Sequence, residues 1–194
     1  MTLKDDIVHE SMKLFSLNGF GSTGIKDILE ASGTSKGGFY NYFSSKEELF
    51  FLVLKEAQAV WRQRVLGGIR EIDSPTEKIK QMLLNYQDRY LQDTENFPGG
   101  CIFVTLSVEL DDQRPHLMNK LNEGFEGFRE LLKRVVMEGI EAGELSEDIN
   151  VEQFCDMLFA CMLGASVLYG TDKSTTRLKS STDSLINYLE SHRL

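Results

Sequence analysis

The stretch GFGSTGIKDILEASGTSKGGFYNYFSSKEEL, residues 19–49, decides the fold. It holds two short helical patterns around a tight turn. Thr23 precedes a segment in which Ile25, Ile28 and Leu29 share one apolar face. Ser32-Gly33-Thr34 forms the turn, and Gly33 supplies the left-handed backbone geometry that side-chain-bearing residues resist. Ser35 to Tyr42 forms the second helix. Two short helices joined by a three-residue, glycine-containing turn make a helix-turn-helix. Its second helix meets the major groove through its N-terminal end, which requires small or polar residues there. Ser35, Lys36, Gly37 and Gly38 meet that requirement, and a lysine beside free helix amides favours phosphate.

Helical spacing continues on both sides of this stretch. Upstream, Ile7, Ser11, Leu14, Phe15 and Asn18 share one face, and Gly19 closes the segment. Downstream, Ser45-Lys46-Glu47-Glu48 reads as a capping box opening a long helix to about Leu66. Ser74-Pro75-Thr76-Glu77 opens another, to about Leu91, with proline at the first helical position. Further helices are expected from Cys101 to about Leu110 and, after a break at Asp111–Pro115, along the stripe Leu117, Leu121, Phe125, Phe128, Leu132 and Val135 to about Gly143. The last two run from Asn150 and from Ser174 to His192. The pattern predicts an all-α chain of nine helices without a sheet. A three-helix DNA-binding domain is expected over residues 1–48, and a larger helical domain over 49–194.

Composition narrows the function classes. The chain has 194 residues, 41% of them hydrophobic and only three prolines, so it can bury a core of long helices. Its net charge of −9 opposes nucleic-acid binding overall, yet Ala31 to Lys46 contains no Asp or Glu. No basic region followed by an apolar run opens the sequence. The nearly uncharged stretch Met157–Gly170 spans about 14 residues, short of the roughly 20 a membrane crossing needs, and reads as buried helix. Three cysteines without a CxxC pair point to free thiols in the cytoplasm and to no structural zinc. No metal, cofactor or membrane is expected.

Residues 19–49 resemble the DNA-binding region of TetR-type repressors, and the preceding helix fits that family too. The resemblance implies roles. Thr23 starts the first short helix and meets a phosphate. Thr34, Ser35, Lys36, Gly37 and Gly38 form the mouth of the recognition helix. Tyr40, Asn41 and Tyr42 contact backbone and bases, and Lys46 touches phosphate. Lys26 stands where the family more often has arginine, Leu29 replaces a common alanine, and the Asn41-Tyr42 pair departs from the usual Tyr/His. No arginine precedes Arg62, so bidentate guanine readout is unavailable. Lys36, Tyr40, Asn41, methyl contacts and DNA shape are left to specify the site.

Beyond residue 50 the resemblance is architectural and implies a ligand pocket and a dimer face. Trp61, Tyr86, Tyr90, Cys101, Phe103, Phe125 and Phe128 are the candidate pocket residues, although aromatic residues at helical spacing also serve as plain core. Phe154, Leu158, Cys161 and Ala165, with Leu185 and Leu189, are the candidate dimer residues of a four-helix bundle. Cys101 follows Pro98-Gly99-Gly100 at a helix start, where a thiol becomes reactive. Its Gly-Cys resembles a subgroup of the family that senses electrophiles or oxidants; the alternative is a buried inert thiol. Cys155 and Cys161 read as packing. The expected protein is a homodimeric regulator bound to a palindromic operator in double-stranded DNA. A small apolar or electrophilic inducer would release it. A thiol sensor acting through Cys101 is the alternative. A helical thiol enzyme is disfavoured, because His9, His116 and His192 show no catalytic motif.

Overall fold

A computed structural model describes residues 2–110 and 114–194, so Asp111–Gln113 of the expected break at Asp111–Pro115 lie outside the described residues. Nine α-helices follow one another among those residues: α1 (Leu3–Ser22), α2 (Ile25–Ala31), α3 (Lys36–Tyr40), α4 (Lys46–Val65), α5 (Pro75–Asn85), α6 (Ile102–Leu110), α7 (Pro115–Glu141), α8 (Val151–Asp172) and α9 (Thr175–Glu190). The one extended pairing among them is an isolated bridge between Leu145 and Arg193. The chain packs as two compact units, Met1–Trp61 with Asp93–Glu123, and Arg62–Gln92 with Gly124–Leu194. These packing units follow a different line from the functional boundary expected at residue 48. Leu49, Phe50, Val53, Leu54 and Ala57 of α4 are buried in the first unit with the helix-turn-helix.

Local chemistry sets the helix ends. Ser35, Ser74, Asn150 and Ser174 each accept an amide of the following turn and so cap α3, α5, α8 and α9. The box at Ser45 forms by half. Ser45 Oγ accepts the Glu48 amide at 3.1 Å, but the Glu48 carboxylate accepts from Ser44, from its amide at 2.7 Å and its hydroxyl at 2.6 Å. At Ser74 the reciprocal acid is Glu144, which accepts from Ser74 Oγ at 2.6 Å and the Thr76 amide at 3.0 Å. The helix expected to run to Leu91 changes pitch: Tyr86–Tyr90 form a π-turn, closed by the Leu91 amide on the Tyr86 carbonyl at 2.9 Å.

In the first unit α1 packs along α6. α1 is kinked at Gly19, whose backbone is left-handed at φ 79°. Its aromatic floor is Phe15, Phe20 and Phe50, with ring centroids 5.5 and 5.3 Å apart in edge-to-face pairs. Just before α6, the Gly99 amide donates to Ser16 Oγ at 3.3 Å, and a Cβ at Gly99 would run into the Ser16 carbonyl. In the second unit α8 and α9 pack together, and α5 lies against α9. With 22 residues and a mean hydropathy of 1.5 over an 18-residue window, α8 is long and apolar enough to cross a membrane by length and composition. One of its sides is core instead, through Phe154, Cys155, Leu158, Met162, Ala165, Ser166 and Tyr169.

The Gly99 contact is backbone against backbone, so no side chain can yield. Gly99→Ala is expected to destabilise the protein by about 1–3 kcal/mol, as overpacking does. A thermal midpoint unchanged from wild type would refute this account of the α1–α6 seam.

Candidate nucleic-acid interface

The turn residue Gly33 adopts φ 62°, the left-handed geometry expected of it. Ile28 is fully buried beneath the turn, whereas Ile25 and Leu29 are half-buried. α3 has five residues and begins at Ser35, whose Oγ accepts the Gly38 amide at 3.1 Å. A Cβ at Gly38 would meet Thr34 Oγ1 at 2.5 Å, so this start admits only glycine without adjustment. Phe39 is fully buried and packs against Phe43 with the rings tilted and their centroids 5.3 Å apart, which pins the helix from inside.

Pinned this way, α3 turns its polar residues outward. Ser35, Lys36, Gly37, Asn41, Ser44 and Ser45 are exposed, and so are Tyr40 and Tyr42, at 45% and 42%. Thr34 and Gly38 are half-buried at the rim. This surface has one ammonium, two phenols, an amide and several hydroxyls, and no carboxylate between Ala31 and Lys46. It can hydrogen-bond both phosphate oxygens and base edges. Lys4 on α1 also reaches the region, 6.0 Å from the Phe43 ring, and adds a cation that the motif alone did not single out.

Two expected phosphate contacts face inward. Thr23 is fully buried, and its hydroxyl donates to the Gly19 carbonyl at 2.6 Å. The residue that caps α2 is Gly24, whose amide donates to Asp27 at 2.7 Å. Lys46 Nζ donates to the carbonyls of Phe20 and Thr23 at 2.7 and 2.8 Å and lies 4.3 Å from the Phe20 ring centroid. Burial, then the neighbouring Arg114 charge, lowers its pKa from the usual lysine value, with Glu109 and Asp27 opposing. The Thr23 hydroxyl and the Lys46 ammonium therefore help to build the α1–α2 corner.

Sequence reading missed the partners of that corner. The kink at Gly19 interrupts the helical ladder and leaves the amides that follow without their usual acceptors. Glu109 from α6 accepts both, from Phe20 at 2.6 Å and Gly21 at 2.5 Å. Next to it, Glu47 of α4 accepts from Arg114 at 2.6 Å and pairs with His116 at 3.0 Å. The His116 hydrogen bond is the largest cause of its lowered pKa.

The candidate pocket residues fall in both units. Trp61, Cys101 and Phe103 belong to the first; Tyr86, Tyr90, Phe125 and Phe128 belong to the second. Tyr86 and Tyr90 stack at 5.5 Å inside the π-turn, and Phe125 and Phe128 each meet Phe159 at 5.5 Å. Cys101 is buried, and its carbonyl accepts the first bond of α6, from Thr105, at 3.1 Å. Of the candidate dimer residues, Phe154, Leu158, Ala165, Leu185 and Leu189 are buried within the second unit, and only Cys161 is exposed. The stripe chosen from spacing is the inward face of α8. The outward face carries Ala160, Cys161, Gly164, Val167 and Leu168.

The two lysines flanking the recognition segment should behave differently. Lys36→Ala is expected to weaken duplex binding and lower the slope of log K against log salt by about 1, leaving the thermal midpoint unchanged. Lys46→Ala removes charge-assisted bonds to two carbonyls and should cost about 1.5–3 kcal/mol of stability. The reverse pattern in salt titrations and melting curves would exchange their roles.

Known proteins with this arrangement identify the family. The pattern of the tetR family of bacterial regulatory proteins matches residues 7–53, and that of a tetracyclin repressor-like C-terminal domain matches residues 75–185. The HTH-type transcriptional repressor NemR of Escherichia coli (strain K12) is 30% identical over 158 residues, covering 77% of this chain and 74% of NemR. A TetR transcriptional regulator from Chloroflexus aurantiacus J-10-FL superposes with a TM-score of 0.90 at 26% identity, over 98% of this chain and 96% of that one. A mutant of the TetR family regulator CifR, complexed with 26-base-pair double-strand operator DNA, shares the fold with a TM-score of 0.81 at 21% identity, over 94% of each chain. From the N-terminal match, the C-terminal match and the fold together, the chain belongs to the TetR family of bacterial transcriptional regulators.

Proposed function

We propose that the protein is a ligand-responsive repressor that binds a palindromic operator in double-stranded DNA as a homodimer and acts in the cytoplasm without catalysing a reaction. The observation that carries this reading is the exposed, carboxylate-free surface of α3, opened by Lys36, Gly37 and Gly38 and flanked by Tyr40, Asn41 and Tyr42. One such helix of five residues reads few base pairs. Two, related by a two-fold axis, read half-sites one DNA turn apart, about 34 Å.

The outward face of α8 supports the pairing. Ala160, Cys161 and Gly164 present small side chains that let a second helix approach closely, and Val167 and Leu168 expose apolar surface at 48% and 47%. The exposed serines of α9, Ser180 and Ser184, extend that low relief. Inducer binding to the helical domain would favour a spacing of the recognition helices that no longer fits DNA. A coupling of about 1–3 kcal/mol suffices for a working switch.

A second reading, in which the signal is chemical modification of Cys101, draws on two observations. Cys101 stands at the N-terminal end of α6, the helix that also carries Glu109. The Escherichia coli relative NemR has been solved in a reduced form. The other thiols differ in kind. Burial pushes the Cys155 thiol up to about 12, which keeps it protonated and inert, and Cys161 is exposed.

The wild type should enrich a palindromic duplex from a random-sequence library, with affinity that falls as salt rises. Val167→Glu should yield monomers and lose that duplex. Absence of any salt-dependent duplex binding by the wild type would sink the regulator reading, and a monomeric wild type that still binds a palindrome would sink the dimer. For the thiol reading, N-ethylmaleimide is expected to release DNA from the wild type and from Cys161→Ser but not from Cys101→Ser. Equal release from all three would end it.

A further inference from the structure

We propose that Glu109 is a positioning residue for DNA reading: its carboxylate, delivered by α6, fixes the α1–α2 corner on which the recognition helix stands. The proposal rests on the regulator reading above. Residues 19–24 are gripped from two sides. On the amide side, Glu109 accepts from Phe20 and Gly21 at 2.6 and 2.5 Å. On the carbonyl side, Lys46 donates to Phe20 and Thr23 at 2.7 and 2.8 Å. A negative group thus faces the amide end of this single turn and a positive group its carbonyl end, as the dipole of a helical turn favours.

The fit of the carboxylate leaves no slack. A Cβ at Gly19 would collide with the Glu109 carboxylate, and one at Gly21 would stand 2.7 Å from Oε1. N–H···O bonds ordinarily span about 2.7–3.2 Å, and these two are closer than that. Movement of α6 that the Glu109 side chain does not absorb by turning about its own bonds therefore drags the corner or lengthens these bonds. The corner hands the displacement on. Lys46 is the first residue of α4 and follows α3 by one short loop, so the same ammonium that holds Phe20 and Thr23 anchors the far end of the recognition helix. Arg114, 5.3 Å from the Phe20 ring and paired with Glu47, braces the same face. Glu109 points at backbone rather than at DNA, so its contribution to operator binding is through the orientation of α2 and α3.

The test uses the full chain as wild type, Glu109→Gln and Gly21→Ala. The probes are the duplex enriched by the wild type from a random library and a poly(dI-dC) duplex. Glu109→Gln replaces an acceptor oxygen with an N–H donor facing the amides. Gly21→Ala leaves every charge in place and displaces the carboxylate by its methyl group. In both, hydrogen exchange at Phe20 and Gly21 is expected to accelerate about tenfold or more, and affinity for the selected duplex to fall about tenfold or more. Affinity for poly(dI-dC) and its salt slope should stay at wild-type values, since no phosphate contact is lost. Faster exchange with intact affinity for the selected duplex would overturn the proposal. So would an equal loss on both duplexes in Gly21→Ala, which retains the charges should Glu109→Gln fail to fold. Failure of the wild type to enrich any duplex would instead overturn the regulator reading.

Discussion

A carboxylate accepting two backbone amides holds the DNA-binding end of this protein together. Gly19 must take a left-handed conformation to turn the chain out of α1, and that turn frees the amides of Phe20 and Gly21 from the helical ladder. Hydrogen bonds to a charged acceptor contribute about 1.5–3 kcal/mol each, comparable with a sizeable part of a domain's net stability. Once Glu109 supplies them, Phe20 can seat edge-to-face between Phe15 and Phe50, and its carbonyl can face Lys46. Burial of Thr23, capping of α2 by Gly24 and the course of the chain to Ser35 follow from that geometry. The outer face of α3 is polar and lightly anchored because the restraint lies behind it.

What the sequence discloses about this end of the molecule divides by distance along the chain. Gly33 in its left-handed turn and Ser35 at the start of the second helix are determined within a few residues, by local sterics and hydrogen bonding, and they were legible. The inward bonds of the Thr23 hydroxyl and the Lys46 ammonium were not foreseen, because a threonine and a lysine beside a recognition motif look like surface groups when read locally. Their partners are carbonyls on a turn 4 to 26 residues away. Glu109 escaped notice altogether: its partners are 88 and 89 residues upstream, and nothing in the run Ser107-Val108-Glu109-Leu110 distinguishes a capping acid from a solvated one.

The second unit shows a different kind of ambiguity. Helical periodicity correctly separates the sides of α8 but does not say which side meets the rest of its own chain. Phe154, Leu158 and Ala165 recur at the same intervals as the small and apolar residues about a third of a turn away, and both stripes are free of charge. The larger side chains took the interior, where volume must be filled. The small ones remained outside, where close approach to another helix is possible. The same division sorts the thiols: Cys155 lies on the filled side, and Cys161 on the open one. The π-turn at Tyr86–Tyr90 was also invisible, since one extra residue in a helical ladder leaves no composition signal.

The crowding around Glu109 has an evolutionary consequence. A methyl group at Gly19 or Gly21 would strike the carboxylate, and one at Gly99 would strike the α1 backbone farther along the same seam. Gly99 cannot drift alone, because the atoms it would strike are backbone, whereas at Gly21 the Glu109 carboxylate has to swing aside. A side chain at Gly21 displaces the end of the Glu109 side chain, and a displaced or shortened acid no longer reaches both amides. Positions 19, 21 and 109 should therefore change together or stay fixed across descendants of this chain, whereas the exposed residues of α3 remain free to explore new operators. Such separation lets a lineage acquire new DNA targets without rebuilding the joint that presents the recognition helix.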